Sequence, residues 1–346
     1  MQKVLKLGLI GAGTSATNIA TVASALPEVE LLAIADTNLS KAQELTEKLN
    51  IPDTYDDAES LLARDDIEAV IISVPHFAHH PIVMKALDAG KHVLVEKPIA
   101  TNLRDTDEMI ATARQAGLKL GVFLQNRFSE ASLRMKEAID SGVCGTLVQF
   151  DVELLWTRDE NYYAESPWRG KLATEGGGCL INQAIHTIDL MCMLAGDVEF
   201  LFAQVGTYAH AIEVEDHALA LLKFKNGALG CIRASTATIP GFPDRLTVIG
   251  TQKTLQKQGD MLTEWDVGTD FDKGVVFGGI EHASFKDNTT ISFPNHIALI
   301  TDFIHAVLED RDPMITGEVG RQSLEVIRAI YASSEGRQVV SFPFNE

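Results

Sequence analysis

The segment EGGGCLINQAIHTIDL, residues 175–190, sets Gly176, Gly177 and Gly178 directly ahead of a helical apolar pattern. That pattern carries Asn182 and His186 four residues apart, and Asp189 three residues further on. Spacings of three and four put all three side chains on one helix face, as a polar line. An imidazole, with a pKa near ~6.5, can accept a hydroxyl proton near neutral pH and return it in the reverse direction. The glycines let the chain pass close to another group, and a helix N-terminus offers that group donors. The plainer alternative is a helix histidine satisfied by packing.

A second chemical group stands in VLVEKPIA, where Glu96, Lys97 and Pro98 close the strand pattern at 91–96. Pro98 fixes its own φ and restricts its predecessor, so Lys97 is held on stiff backbone. An ammonium at the carboxyl edge of an open parallel sheet can stabilise alkoxide character at a carbinol as its hydride leaves.

The third motif, GLIGAGTSA, spaces Gly11, Gly13 and Ala16 as G-x-G-x-x-A, with Thr14 inside it, between a strand and a helix. Bare backbone there can turn tightly and approach a pyrophosphate at the helix N-terminus. Asp36 ends the following strand, 20 residues beyond Ala16, where a carboxylate can accept hydrogen bonds from an adenosine ribose. Asp36 would repel a 2'-phosphate, and Thr37 and Asn38 supply no guanidinium, so NAD is favoured over NADP. A tight strand–helix turn beside a solvated Asp is the alternative.

These groups need a scaffold, and the first third of the chain supplies one. Short Val-, Ile- and Leu-rich runs at 6–10, 31–36, 68–74, 91–96 and 118–124 alternate with helical patterns near 14–26, 39–49, 79–89 and 103–116. This alternation predicts a doubly wound parallel sheet with helices on both faces. The rhythm changes after residue 124, which divides the chain into domains at 1–124 and 125–346. A helical stretch near 129–141 leads to a strand at 146–156, an aromatic loop, the glycine-led helix, and strands at 200–209, 217–235 and 244–251. Asn226-Gly227 marks a hairpin turn, so a mostly antiparallel sheet is expected there. Two further helices, within 296–335, are expected to pack back on the body.

Composition narrows the partners. The chain has 346 residues, enough for two domains, and a formal net charge of -19, which would repel a nucleic-acid backbone. No signal pattern opens it and no apolar run is expected to reach the ~18 to 20 residues of a membrane span, so a soluble cytoplasmic protein is expected. Cys144, Cys179, Cys192 and Cys231 lack ligand spacing, and neither metal nor disulfide is expected. Glu215, Asp216 and His217 alternate along a strand and therefore do not converge on one ion.

Together, GxGxxA with its Asp, the EKP tripeptide, GGGxxxNxxxH and F-x-x-A-V-x-E-x-R-x-P-x-I-T-G (Phe303 to Gly317) resemble the glucose-fructose oxidoreductase, inositol dehydrogenase and MocA family. The resemblance spans nearly the whole chain. It implies an N-terminal Rossmann domain with a bound nicotinamide cofactor, and a C-terminal α+β domain whose open sheet forms a homodimer or homotetramer interface. It implies His186 as catalytic base, with Lys97 as its partner in activating the substrate hydroxyl. His79 matches a structural histidine, and His76 stands where many members have Asn and could touch the nicotinamide ribose. Arg127, Trp168 and Arg169 match stretches near the substrate pocket. Asn182 replaces an Asp common among inositol dehydrogenases, and Asn cannot take up a proton. It would instead orient the substrate or His186.

The expectation is an NAD-dependent oxidoreductase acting on a secondary alcohol of a sugar, polyol or sugar derivative. Gly11, Gly13, Thr14, Ala16, Asp36, His76, Glu96 and Lys97 would hold the cofactor. Two alternatives stand beside it: a glycosidase that oxidises transiently on tightly held NAD, and a ligand-binding regulator on the same fold. The loop WTRDENYYAESPWRGK, 156–171, is either a sugar-stacking wall or an aromatic segment packed over the domain or at a subunit contact.

Overall fold

In the computed structural model, which describes residues 3–266 and 293–346, the apolar runs of the first third lie side by side as a parallel sheet. Its strands are β1 (Leu5–Ile10), β2 (Val29–Ala35), β3 (Asp53–Tyr55), β4 (Ala69–Ile72), β5 (His92–Val95) and β6 (Leu120–Val122). Their order is β3-β2-β1-β4-β5-β6, so β1 is flanked by β2 and β4. Leu7 pairs with Leu31 on one side and Ala69 on the other, and the connections leave in opposite directions at that point. Such a reversal opens a crevice at the carboxyl ends of the strands.

The crossovers are α1 (Thr14–Ala25), α2 (Leu39–Leu49), α3 (Ala58–Leu62), α4 (His79–Asp88) and α5 (Leu103–Ala116). Each packs an apolar stripe on the sheet. In α5, Leu103, Thr106, Met109 and Ala113 are buried, the Asn102 side chain caps Asp105 N at 2.8 Å, and Gly117 ends the helix at φ 67°. Strand β3 and helix α3 are additions to the sequence reading. DTY is three residues long and half polar, so it carries no periodic signal.

The remainder forms α6 (Glu130–Asp140), β7 (Leu147–Leu155), α7 (Glu160–Ala164), α8 (Leu172–Glu175), α9 (Ile185–Ala195), β8 (Val198–Gly206), β9 (His217–Phe224), β10 (Leu229–Ser235), β11 (Arg245–Gly250), β12 (Lys253–Gln258), β13 (Met261–Asp266), α10 (Pro294–Leu308), α11 (Gly317–Gly336) and β14 (Val340–Ser341). The second sheet has eight strands in the order β13-β12-β11-β7-β10-β9-β8-β14. All its pairs are antiparallel except β7 with β10. One face of this sheet carries α9 and α11. Alternation along β8 buries Leu201 and Ala203 on that face and exposes Phe200 and Phe202 on the other.

The last helices return to the first sheet. Phe303 of α10 is buried, a burial that contributes roughly 1.5–3 kcal/mol. Arg321 of α11 pairs with Asp107 of α5, and Gly121 bridges to Thr316 at the start of α11. The stretch Leu172–Ala195 corrects one sequence expectation, because it is 24 residues of helix apolar enough to cross a membrane. Within its most apolar window 83% is buried inside the protein, so this stretch is a core helix.

Candidate active site

At the crevice, β1 runs into Gly11, whose φ of +108° suits glycine. A Cβ there would lie 2.0 Å from the Ser73 carbonyl oxygen, so the turn is pressed against the end of β4. Gly13 caps α1 and has no atom within 4 Å of a built Cβ. Helix α1 has no side-chain cap and no acidic residue in its first turn, which leaves its opening amides for an anion. Thr14 is exposed beside them and Ala16 is buried against the sheet. Asp36, at the end of β2, accepts from Ala12 N at 2.7 Å and from Asn38 N at 2.7 Å. Its carboxylate therefore fixes the glycine turn and stays at the mouth of the cradle. Bare amides, open space and a neighbouring carboxylate fit the pyrophosphate and ribose of a dinucleotide.

The cradle is tied to the next group. Ser15 Oγ donates to Glu96 Oε1 at 2.6 Å, and Glu96 Oε2 accepts from Lys97 N at 3.1 Å. Burial raises the Glu96 carboxyl above its ordinary pKa, against the pull of Lys97. From the end of β5, Lys97 Nζ reaches Asn182 and donates to its main-chain O at 2.7 Å and its Oδ1 at 3.2 Å. Burial pulls this ammonium below the usual lysine range, and Glu96 and Glu175 oppose the shift.

The three glycines have an identity for what they approach, and it is protein. A Cβ on Gly178 would meet the Glu215 carbonyl oxygen at 1.9 Å, and one on Gly177 would meet the Tyr331 hydroxyl at 2.1 Å. The Glu215 carboxylate accepts from Gly178 N at 2.8 Å, Leu180 N at 3.0 Å and Tyr331 Oη at 2.9 Å. It thus serves the donors opening this helix, and burial pushes its pKa up to about 7. Asp216, its neighbour on the opposite side of the chain, accepts from Tyr208, Ala209 and His210 N.

Residues Leu180–Ala184 form a π-type turn before α9, a widening that recurs at functional sites. Asn182 Nδ2 donates to Glu175 Oε1 at 2.5 Å and to Tyr162 Oη at 3.3 Å, while Gly170 N donates to Glu175 Oε2 at 2.5 Å. Two turns of contact thus fix the amide: its nitrogen faces Glu175 and its oxygen faces Lys97. His186 is half-buried on the same stretch, and its Nδ1 has no hydrogen-bond partner among the described residues. Burial, then the Lys97 ammonium, then His296 and Lys257 hold its pKa well below the ordinary 6.5. At neutral pH this imidazole is uncharged and retains a lone pair.

The expected polar line ends there. Asp189 is taken by Arg127, whose Nε and Nη2 each donate to its carboxylate at 2.7 Å in a buried bidentate pair. Arg127 was expected at the substrate pocket; through this pairing it also clamps the segment Gln125–Phe128 to α9.

The aromatic loop lies over Asn182. Arg169 stacks on Tyr162 at 4.2 Å and on Trp168 at 5.6 Å, and Arg158 covers the same Tyr162 ring at 5.0 Å. Trp168 packs on His76 at 4.7 Å, and His76 Nδ1 donates to the Glu175 carbonyl at 2.9 Å. His79 is buried between the Pro98 and Val74 carbonyls, at 2.7 and 2.9 Å, and its pKa falls to about 4 through burial. Lys97, Asn182, His76, Trp168 and Arg169 are therefore joined in one contact network, with His186 in electrostatic reach of Lys97. The sequence reading missed Glu175, Lys257 and His296. Glu175 stands directly before the glycines, where position relative to the motif was a usable signal; the buried Lys257, on β12, had none.

Comparison with known proteins gives two family matches. The description "Oxidoreductase family, NAD-binding Rossmann fold" matches residues 5–124, and "GFO/IDH/MocA C-terminal domain" matches residues 132–256. Myo-inositol 2-dehydrogenase of Thermotoga maritima is 27% identical over 345 residues, 97% of this chain and 98% of its own. Trans-1,2-dihydrobenzene-1,2-diol dehydrogenase of Mus musculus is 29% identical over 260 residues, 73% of this chain and 74% of its own. Among solved structures, the WlbA dehydrogenase of Bordetella pertussis in complex with NADH and UDP-GlcNAcA superposes with a TM-score of 0.87 at 28% identity, covering 99% of this chain and 100% of that one.

Proposed function

We propose, for a chain that belongs to the GFO/IDH/MocA family of NAD-binding oxidoreductases, hydride transfer between the nicotinamide and a secondary alcohol of a sugar, cyclic polyol or sugar derivative. The enzyme is a dehydrogenase acting on CH–OH groups and its cofactor is NAD. The observation that carries the finer reading is the union of Lys97 with the helix that bears His186, made through Asn182 at 2.7 and 3.2 Å.

Gly11, Gly13, Thr14 and Ala16 would receive the pyrophosphate, and Asp36 the adenosine ribose. When bound, the cofactor supplies the hydride acceptor. His186, neutral and with an unpartnered ring nitrogen, takes the hydroxyl proton in the oxidising direction and returns it in the reducing one. The Lys97 ammonium faces the developing alkoxide and stabilises it. Asn182, fixed by Glu175, holds Lys97, and Trp168 offers an apolar face to a sugar ring.

A second copy of the chain is the proposed partner of the open sheet face. Phe202 of β8 pairs with Leu221 of β9, and Leu221 with Cys231 of β10, which forms an exposed apolar band beside Phe200, Leu219 and Leu229. Size-exclusion chromatography with light scattering reads this directly, and a Leu221→Glu monomer would support it.

The deciding experiment offers NAD with inositols, free sugars and nucleotide sugars, and follows nicotinamide absorbance and product mass. Reduction of NAD matched by a ketone two hydrogens lighter than the alcohol supports the proposal. Release of a leaving group without net NADH would favour the glycosidase chemistry instead.

A further inference from the structure

Glu215 and Asp216 are adjacent, and each carboxylate braces a different part of the site. Glu215 serves the glycine-led turn. Asp216, fully buried, folds the segment 207–216 between β8 and β9 back on itself, accepting from Tyr208 N and Ala209 N at 2.8 Å and from His210 N at 3.0 Å. Burial raises its carboxyl, but the amides of Ala209, Tyr208 and His210 outweigh burial and hold it below its ordinary pKa, so it stays an acceptor.

That acceptor fixes the His210 ring, whose side chain is 7% exposed. Its Nδ1 donates to Asp216 Oδ2 at 3.0 Å, and its Nε2 donates to the Arg158 carbonyl at 2.9 Å. Neither partner has a hydrogen to give, so both ring nitrogens are used as donors. The Tyr163 ring packs on His210 at 5.0 Å, and Arg158 N donates to the Thr236 carbonyl at 2.8 Å from the other side. The same segment holds the far end of the aromatic loop. Glu213 N donates to the Gly170 carbonyl at 2.8 Å, and Leu172 N donates to Glu213 Oε2 at 3.0 Å. Residues 158–170 are thus gripped at both ends by one short stretch of chain.

Between those ends the loop reaches the reacting groups. Tyr162 Oη accepts from Gln183 Nε2 at 2.9 Å and from Asn182 Nδ2 at 3.3 Å, and Asn182 seats Lys97. The regular structure within the loop is the five-residue α7, so its placement depends on anchors at its ends rather than on a ladder of main-chain bonds.

We infer that His210 is a positioning residue for the reaction: held by Asp216, it anchors the Arg158 carbonyl and so sets the loop 158–170 over Asn182. This rests on the dehydrogenase reading above and adds to it a residue that acts through the loop alone. Glu175 holds the Asn182 amide independently of Tyr162, so a loosened loop weakens the grip on substrate and leaves the chemical step intact.

Two substitutions separate the anchor from the fold of its own segment. His210→Asn keeps a donor at the reach of Nδ1, for Asp216, and is too short for the Arg158 carbonyl. His210→Gln extends a donor to the reach of Nε2. Hydrogen exchange, read by mass spectrometry on the NADH-loaded protein, needs no substrate. In His210→Asn the amides of 158–170 are expected to exchange about tenfold faster than in the parent, the effect of losing one such bond. Peptides of the first sheet and of 176–190 keep the parental rate, and His210→Gln restores protection of the loop. Steady-state rates use the alcohol that reduces NAD best in the screen above. They should show KM raised about tenfold in His210→Asn and recovered in His210→Gln, with kcat and NADH affinity kept in both.

Parental exchange of 158–170 in His210→Asn, faster exchange that extends to the first sheet, or Asn and Gln variants that behave alike would overturn the inference. So would a loss in His210→Asn that falls on kcat or on NADH affinity. If no alcohol in the screen reduces NAD, the dehydrogenase reading fails, and the exchange pattern still decides whether His210 holds the loop.

Discussion

Lys97 and Asn182, 85 residues apart, are joined twice: one ammonium donates to both the main-chain and the side-chain oxygen of one asparagine. The first sheet supplies the cation and the second region of the chain supplies its seat. An amide does this job where a carboxylate would not. It accepts through Oδ1 without neutralising the ammonium, and its Nδ2 is fixed from behind by Glu175.

Lys97→Met is expected to bind NAD as the parent does and to lose turnover by roughly 10²- to 10³-fold, the usual effect of removing one group that faces developing negative charge. Fluorescence titration with NADH and steady-state kcat measure the two separately. A parallel loss of NADH affinity would assign Lys97 to cofactor binding alone.

The pH profile of kcat/KM in the oxidising direction should have an acid limb below 6.5, because burial and Lys97 disfavour the protonated form of His186. Its alkaline limb should lie below 10.5, because burial favours loss of the Lys97 proton. An acid limb at or above 6.5 would show that His186 is not the group whose neutral form is needed.

Glu175→Ala frees the Asn182 amide to rotate and leaves Gly170 N without its acceptor. We expect kcat to fall about 10- to 100-fold with NAD affinity kept, and stability to drop by about 1–3 kcal/mol for the orphaned buried donor. Denaturant unfolding and kinetics on the same sample test both. Unchanged kcat would limit Glu175 to a packing role.

Much of the first sheet was legible because its signals are local. GxGxxA, Asp36 and the EKP stretch each fall at the end of an apolar run, and a strand followed by a helix leaves little freedom in where those ends lie. Strands β12 and β13 were not legible, since KTLQKQ and MLTEWD alternate too weakly to stand apart from loop. Helical spacing aligned Asn182, His186 and Asp189 on paper, but it could not reveal that Arg127, 62 residues earlier in the chain, claims Asp189. The glycines drew attention to a ligand because an empty side chain has no partner in a sequence. In space Gly176 meets Thr101, Gly177 meets Tyr331 and Gly178 meets Glu215.

The Arg127–Asp189 pair gives a prediction that separates structure from binding. Arg127→Ala leaves a buried carboxylate uncompensated and should cost about 3–5 kcal/mol, read as a lower midpoint in urea. The double variant Arg127→Leu with Asp189→Leu should recover most of it. If Arg127→Ala instead keeps its stability and raises KM alone, the guanidinium serves the substrate.

Glycine positions offer a contrast in one experiment. Gly178→Ala places a methyl 1.9 Å from a backbone oxygen and is expected to disrupt folding, whereas Gly13→Ala meets no atom within 4 Å and should keep the parental Tm. Gly13→Ala should weaken NAD binding all the same, because its methyl would occupy the cradle. NAD affinity equal to the parent's would move the pyrophosphate elsewhere.

The central claim is that Lys97 and His186 act on one carbinol, and a double-mutant cycle in kcat/KM tests it most directly. Groups that serve a single proton-and-hydride step lose their effect together, so Lys97→Met combined with His186→Ala should be within about tenfold of the more damaging single variant. Losses that multiply across the two substitutions, or a full rate in either single variant, would contradict the account.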